Sequence, residues 1–302
     1  MPNNSLMYPV KTEKLTVFSP AKVNLYLTVK GRRKDGFHDL ESVFLALDFG
    51  DLLHFTLQGD DEIVMENGSV PVSDNIVYKA ISLFREKTGF SRRLKVTVEK
   101  HIPIGGGLGG GSSNAAATLL ALNKMAFSAG ITPLSRETLL ETACVLGSDV
   151  PFFIHETAAA TVSGRGEIIE PIEMPPVSLV LINPGFSSDT ARAFSLLDEK
   201  RNNTKEILRA TGSCSNRKTE RFRFHSRQNF VNDFLDVFPE REKVIYNEII
   251  SQLKEQGAQY ANLSGSGASC FGVFEDMEQA QKATQALRGK WDFVECCAKK
   301  GD

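Results

Sequence analysis

Between residues 105 and 111 every position but Leu108 is glycine, and the run passes directly into Ser112-Ser113 and an alanine-rich stretch. An apolar segment, Leu94-Lys95-Val96-Thr97-Val98, leads into it. A flexible linker is not bracketed in this way; a strand-to-helix turn is. Glycine removes the Cβ, so the backbone can bend sharply and come close to a bound group. The first N–H groups of the following helix have no intrahelical acceptors and lie at the positive end of the helix dipole. A strand, this loop and a helix therefore make an anion site, with phosphate as the natural occupant. Ser112 and Ser113 add hydroxyls for a phosphate oxygen or a metal ion.

The spacing separates kinds of phosphate loop. Gly105 and Gly110 satisfy the first part of Gly-x-x-x-x-Gly-Lys-[Ser/Thr], but Gly111 stands where that loop requires lysine. Gly105 to Gly110 also fits Gly-x-Gly-x-x-Gly, the dinucleotide pattern. That pattern wants an acidic residue at the end of a second strand about 20 residues on. The chain offers a helix there, then Gly130-Ile131-Thr132-Pro133. What remains is Pro103-x-x-x-Gly107-Leu108-Gly109-x-x-Ser112-Ser113.

Hydrophobic periodicity predicts strands over 15–18, 24–29, 43–47, 52–57, 62–65 and 94–98, with Gly50-Asp51 and Asn67-Gly68 as turns. It predicts helices over 75–87 (Ser73 and Asp74 as capping candidates), 112–126 and 135–146, the last capped by Ser135. A hairpin is expected around Gly164-Arg165-Gly166, then a buried strand over 177–182. Helices over 189–197, 241–256 and 277–287 and strands at 260–263 and 269–274 complete the series. Residues 200–229 are polar, basic and poor in periodicity, and read as a mobile surface segment. Strands and helices mix without strict alternation, which argues α+β. Pro171, Pro175 and Pro176 mark a junction, giving domains 1–172 and 173–302.

Phosphoryl transfer needs a cradle, charge neutralisation and a group that orients the attacking oxygen. Asp149, in Gly147-Ser148-Asp149-Val150-Pro151, reads either as a turn or capping aspartate or as a general base. A desolvated base stays ionised only beside a cation. Lys22, the sole charge between Leu15 and Lys30, is a candidate for that cation; the alternative is a lysine snorkelling from a strand. A late segment, Ser264-Gly265-Ser266-Gly267-Ala268, reads equally as a tight hairpin or as a loop packed against phosphate or the nucleotide loop.

The 302 residues carry a net charge of −2, with no basic excess for nucleic acid. The basic run Arg217 to Arg223 reads as a solvated loop. Cys144, Cys214, Cys270, Cys296 and Cys297 form no Cys-x-x-Cys pair, which argues reduced thiols. Neither a signal core at the N-terminus nor a bilayer-length apolar run is present, so a cytoplasmic location without membrane attachment is expected.

Taken in order, Pro20-Ala21-Lys22-Val23-Asn24-Leu25, the glycine–serine loop and Ser264 to Ala268 resemble the kinase superfamily that groups galactokinase, homoserine kinase, mevalonate kinase and phosphomevalonate kinase (GHMP kinases). Within it, Gly31 to Leu40, Gly147 to Phe153, Gly164-Arg165-Gly166-Glu167 and Asn232-Asp233-Phe234 resemble the branch acting on 4-diphosphocytidyl-2-C-methyl-D-erythritol. The resemblance spans nearly the whole chain. It implies a two-domain α+β kinase with its active site in the cleft between domains, using ATP and Mg²⁺ to phosphorylate the 2-hydroxyl of a small cytidine-diphosphate substrate on the non-mevalonate route to isoprenoid precursors. It supports Asp149 as base and Lys22 as its partner. It assigns the ATP phosphates to Pro103, Ile104, Gly105, Gly106, Gly107, Leu108, Gly109, Gly110, Gly111, Ser112 and Ser113, and adenine to Asn75 and Ile76. It assigns the cytidine base to Phe37, His38 and Phe194 and further substrate contacts to Asn24 and Thr190; Gly265, Ser266 and Gly267 join this substrate-binding set. The branch usually has tyrosine where Phe37 stands, so any hydrogen bond from that hydroxyl is absent here. The resemblance leaves the metal ligands and the oligomeric state open. Homoserine kinase chemistry is the nearest alternative, disfavoured because a small amino acid needs no aromatic platform. A nucleotide-binding regulator without catalysis is the other, opposed by the retention of both Lys22 and Asp149.

Overall fold

The computed structural model describes residues 13–66, 75–211 and 231–301, with backbone only from 203 to 211. Two long strands dominate the first half: β1 (Lys14–Arg32) and β2 (His38–Leu57), paired antiparallel along their length. The sequence pattern splits each of them in two. They are continuous because register shifts between Pro20 and Lys22, Asn24 and Tyr26, and Val29 and Gly31 absorb the irregularities as bulges. Gly50, expected in a turn, is paired with Pro20 inside the sheet. A Cβ there would lie 2.3 Å from the Ser19 carbonyl oxygen, so glycine serves close packing at that point.

β3 (Glu62–Glu66) runs parallel to β4 (Leu94–Glu99), and β4 and β5 (Ala159–Gly164) flank β2 at its two ends. β6 (Ile168–Pro171) closes this six-stranded sheet in the expected hairpin with β5. Four helices cover one face: α1 (Ile76–Thr88), α2 (Gly110–Ser128), α3 (Arg136–Leu146) and the short α4 (Val150–Ile154). α1 is capped by Asn75, whose side-chain oxygen accepts from the Val77 N–H; Ser73, Asp74 and the Asn67-Gly68 turn lie outside the described residues. Ser135 caps α3 as expected. α4 was not anticipated; Pro151 in its first turn is its sequence signal.

The second sheet has the order β10-β7-β9-β8, all antiparallel, from β7 (Ser178–Asn183), β8 (Tyr260–Leu263), β9 (Cys270–Phe274) and β10 (Phe293–Ala298). It carries α5 (Thr190–Thr211), α6 (Glu240–Glu255) and α7 (Met277–Leu287). α5 extends well beyond the expected end at 197, and β10 was missed although its run Phe293-Val294-Glu295-Cys296-Cys297 is apolar enough to suggest it. The Arg217–Arg223 run and Cys214 lie outside the described residues.

Alternation along β7 shows how the halves join. Val180 and Ile182 pack with α5, α6 and α7, whereas Leu179 and Leu181 meet Ala21, Val23, Val43 and Leu45 of the first sheet. β7 is thus buried on both faces, which is why it reads as an uninterrupted apolar run. This shared core holds the two sheets together at one end and leaves a cleft between them. Among the described residues no helix is long and apolar enough to cross a membrane.

Candidate active site

A cleft of about 540 Å³ opens where the glycine loop meets the C-terminal half of the chain. Lys22, Asn24, Asn75, Ile76, every residue from Pro103 to Ser112, and Asp149 line it from the first half. Thr190, Phe194, Phe234, Gly265 and Ser266 line it from the second.

The loop is held by its carbonyls. The Gly105 carbonyl accepts from Ser188 N–H (2.9 Å), Gly106 from Ser269 N–H (3.0 Å), Gly107 from the Ser264 hydroxyl (3.0 Å) and Leu108 from Lys22 N–H (2.9 Å). With four consecutive carbonyls engaged by protein donors, and the Gly106 N–H turned back to the Pro103 carbonyl at 3.3 Å, the other loop amides and the first turn of α2 are left for an anion. Gly107 has φ +74°, and a Cβ on it would come within 2.3 Å of the Ser264 oxygen and 2.6 Å of the Gly267 oxygen. The segment from Ser264 to Ser269 therefore satisfies both of its sequence readings. It is the hairpin between β8 and β9, and it is packed directly on the glycine loop.

A second brace is Asp51, fully buried, which the sequence disguises as a turn residue. Its carboxylate accepts from the N–H groups of His101 and Ile102, both at 2.8 Å, and forms a buried ion pair with Lys100. Lys100 itself lines the cleft, and a Cβ on Gly110 would lie 3.0 Å from its Nζ. Sequence reasoning missed both residues. An acid after glycine looks like a turn, and a lysine at a strand end looks solvated.

Lys22 does not snorkel. It is 4% exposed, its Nζ donates to Asn24 Oδ1 at 2.6 Å and sits 4.4 Å from the centre of the Phe44 ring. Asp149 Oδ2 is 3.1 Å from that Nζ. Asp149 stands at the N-cap of α4 but makes no side-chain capping bond, so its carboxylate is engaged by Lys22 and turned to the cleft. The loop passes over this pair: a Cβ on Gly109 would be 2.9 Å from Lys22 Cγ. Asn24 spends its amide on the Ser42 hydroxyl (2.9 Å) and its oxygen on Lys22.

On the far side, His38 stacks on Phe194 with ring centroids 4.5 Å apart and shares a 2.9 Å hydrogen bond with Asp198. Thr190 is 2.9 Å from the Ser266 hydroxyl. Phe37 is half exposed, with the Arg165 guanidinium 4.8 Å from its ring centre. Ser113, unlike Ser112, does not line the cleft: it is buried behind the loop, 2.7 Å from the Ser19 hydroxyl, which also reaches Asn114. Gly267 lies behind Gly107, against the Tyr246 hydroxyl.

Residues 75–157 match the family described as GHMP kinases N terminal domain, and residues 241–292 match GHMP kinases C terminal. The chain is 37% identical over 276 residues to a 4-diphosphocytidyl-2-C-methyl-D-erythritol kinase of Pasteurella multocida, covering 89% of this chain and 84% of that one. It is 35% identical over 282 residues to the enzyme of the same name from Burkholderia thailandensis, covering 91% and 90%. A crystal structure of 4-(cytidine 5'-diphospho)-2C-methyl-D-erythritol kinase superposes with a TM-score of 0.75 at 28% identity, over 95% of this chain and all of the other. Homoserine kinase from Cytophaga hutchinsonii, at 16% identity and a TM-score of 0.60, shares the fold.

Proposed function

The chain belongs to the family of 4-diphosphocytidyl-2-C-methyl-D-erythritol kinases, and from that premise we propose that Asp149 and Lys22 carry the transfer of the γ-phosphoryl group of ATP to the 2-hydroxyl of that acceptor. The observation that supports this reading is the Lys22–Asp149 pair, 3.1 Å apart, directly beneath a glycine loop whose carbonyls from Gly105 to Leu108 are engaged elsewhere.

Asp149 takes the proton of the attacking hydroxyl. The alkoxide-like oxygen then bonds to the γ-phosphorus, the bond to the bridging oxygen breaks, and ADP leaves. Lys22, locked by Asn24 and the Phe44 face, pairs with Asp149 and offsets charge developing on the transferring group. The loop from Pro103 to Ser112 binds the ATP phosphates through its unpaired N–H groups, with Pro103 shaping its entry and Ser113 holding the start of α2 from behind. Asn75 and Ile76 border the adenine. Mg²⁺ suits the hard-oxygen donors here: Ser112 and Asp149 border the same cleft, and Ser112 Oγ would lie 3.9 Å from a Cβ on Gly147, two residues before Asp149. Ser112 would hold the ion together with phosphate oxygens, and it would supply charge neutralisation there.

The acceptor occupies the opposite wall. Asn24, Thr190, Gly265 and Ser266 fix its polyol, while Gly267, set behind the loop, only shapes that turn, and Phe37, His38 and Phe194 bind its cytidine. Residues 1–172 thus form the ATP-binding and catalytic domain, to which residues 173–302 add the remaining acceptor wall. ADP release with ATP, Mg²⁺ and the cytidine acceptor, beside homoserine and mevalonate, tests this. Turnover with the cytidine compound alone is expected; turnover with another alcohol instead would remove the acceptor assignment.

A further inference from the structure

The acceptor proposed above carries a diphosphate, and its two phosphate charges need a counter-charge in the cleft. Among the described residues the cations lining the cleft are Lys22, Lys100 and Arg165. Lys22 is paired with Asp149, and Lys100 with the fully buried Asp51 beside the first turn of α2. Both therefore serve the phosphate-transfer side. Arg165 stands apart from them. It sits at the tip of the β5–β6 hairpin between Gly164 (φ +70°) and Gly166 (φ +125°), both in backbone conformations that favour glycine.

Three contacts fix this tip. The Gly166 N–H donates to the Ser163 carbonyl at 3.2 Å, and the Arg165 N–H to Glu167 Oε2 at 2.5 Å. Gly166 also packs on Ser148, where a Cβ would come within 3.1 Å of the Ser148 side chain. The hairpin tip is thus docked on the residue next to Asp149. The guanidinium lies 4.8 Å from the centre of the Phe37 ring, and Glu167 meets only its Nε edge, at 3.5 Å. Among the described residues no carboxylate takes its terminal Nη atoms.

We propose that Arg165, stacked on Phe37 and presented by the Gly164–Gly166 turn, binds the diphosphate of the acceptor. The inference rests on the cytidine-diphosphate acceptor proposed above. A guanidinium fork matches two phosphate oxygens, and stacking pre-orders it so that little side-chain freedom is lost on binding. The absence of a hydroxyl on Phe37 fits this role: the ring acts here as an apolar face for Arg165. The arginine thereby bridges the cytidine wall and the base, the path a diphosphate must follow between a cytidine and a reacting hydroxyl at Asp149.

The test is steady-state kinetics of Arg165→Met and Arg165→Lys against the wild type, with competition by cytidine and by CDP. Arg165→Met is expected to raise KM for the acceptor roughly 10- to 100-fold, the range for losing charge-assisted hydrogen bonds. KM for ATP and kcat should stay within about threefold, and Arg165→Lys should recover part of the loss. In the wild type CDP should compete better than cytidine, and in Arg165→Met the two should become similar. An equal rise in both KM values, persistence of the CDP preference in Arg165→Met, or a fall in kcat alone would overturn the assignment. A wild type that turns over the cytidine acceptor while the variant matches it removes only Arg165. A wild type with neither turnover nor CDP competition removes the acceptor reading together with it.

Discussion

Gly107→Ala isolates the packing of one loop on another. At φ +74° an alanine carries about 1–2 kcal/mol of left-handed strain. Its Cβ would also stand 2.3 and 2.6 Å from the backbone oxygens of Ser264 and Gly267, which no side-chain rotation can relieve. The two loops must part by about 1 Å, a misplacement that costs on the order of a hundredfold in rate when it moves reacting groups. Gly89→Ala is the matched control. It has φ +68° and nothing within 4 Å of a Cβ, so it carries strain without collision. Steady-state kinetics with varied ATP should show kcat/KM for ATP falling roughly a hundredfold in Gly107→Ala and unchanged in Gly89→Ala. Thermal melts should fall by a few degrees in both, and further in Gly107→Ala. If Gly107→Ala matched Gly89→Ala in kcat/KM, the idea that the late hairpin sets the shape of the phosphate loop would be wrong.

Other consequences are equally direct. Asp149→Asn should lose turnover by a factor of roughly 10² or more while binding ATP as the wild type does in calorimetry; near-normal turnover would take Asp149 out of the mechanism. Phe194→Ala removes the ring on which His38 stacks, and should raise KM for the cytidine acceptor more than KM for ATP; equal rises would mean the ring serves neither wall in particular. Asp51→Ala strands the Lys100 ammonium and the His101 and Ile102 amides, and should cost about 3–5 kcal/mol in urea unfolding. Asp51→Asn, which keeps an acceptor for the amides, should cost less. Hydrogen bonds from Arg85 above all, working against desolvation, hold the Asp61 carboxyl below the usual carboxylate range. A depressed folded-state pKa stabilises the protein above the unfolded value of about 3.9 and loses that contribution as pH falls through the folded one. Asp61→Asn should therefore be less stable than wild type at neutral pH, and the gap should close as the solution is made strongly acidic; a gap independent of pH would contradict this.

The glycine loop, α2, the β5–β6 hairpin and the apolar β7 were legible because each is dictated by local chemistry: missing Cβ atoms, alanine propensity, turn glycines and two-sided burial. The continuity of β1 and β2 was not legible. Pro20 and Gly50 look like breaks in one dimension, yet they face each other across a bulged ladder where the Ser19 carbonyl leaves no room for a side chain. Asp149 and Lys22 were visible as isolated charges in apolar surroundings, and the fold brings them to 3.1 Å, with Lys22 buried and Asp149 making no capping bond. Asp51 was invisible for the opposite reason. Its partners at 100–102 are remote in sequence, and only folding turns an apparent turn residue into the brace of the loop. Arg165 shows no role in the sequence, because its neighbour Phe37 comes from the far end of another strand pair.

The central claim is that the γ-phosphoryl group of ATP goes to one hydroxyl of a cytidine-diphosphate polyol at the Lys22–Asp149 pair. Phosphorus NMR of the reaction with ATP, Mg²⁺ and 4-diphosphocytidyl-2-C-methyl-D-erythritol tests it most directly. The account predicts a new phosphomonoester resonance, with carbon–phosphorus coupling at the 2-position, that appears with wild type and not with Asp149→Asn. A resonance assigned to another hydroxyl, or equal product from Asp149→Asn, would contradict it.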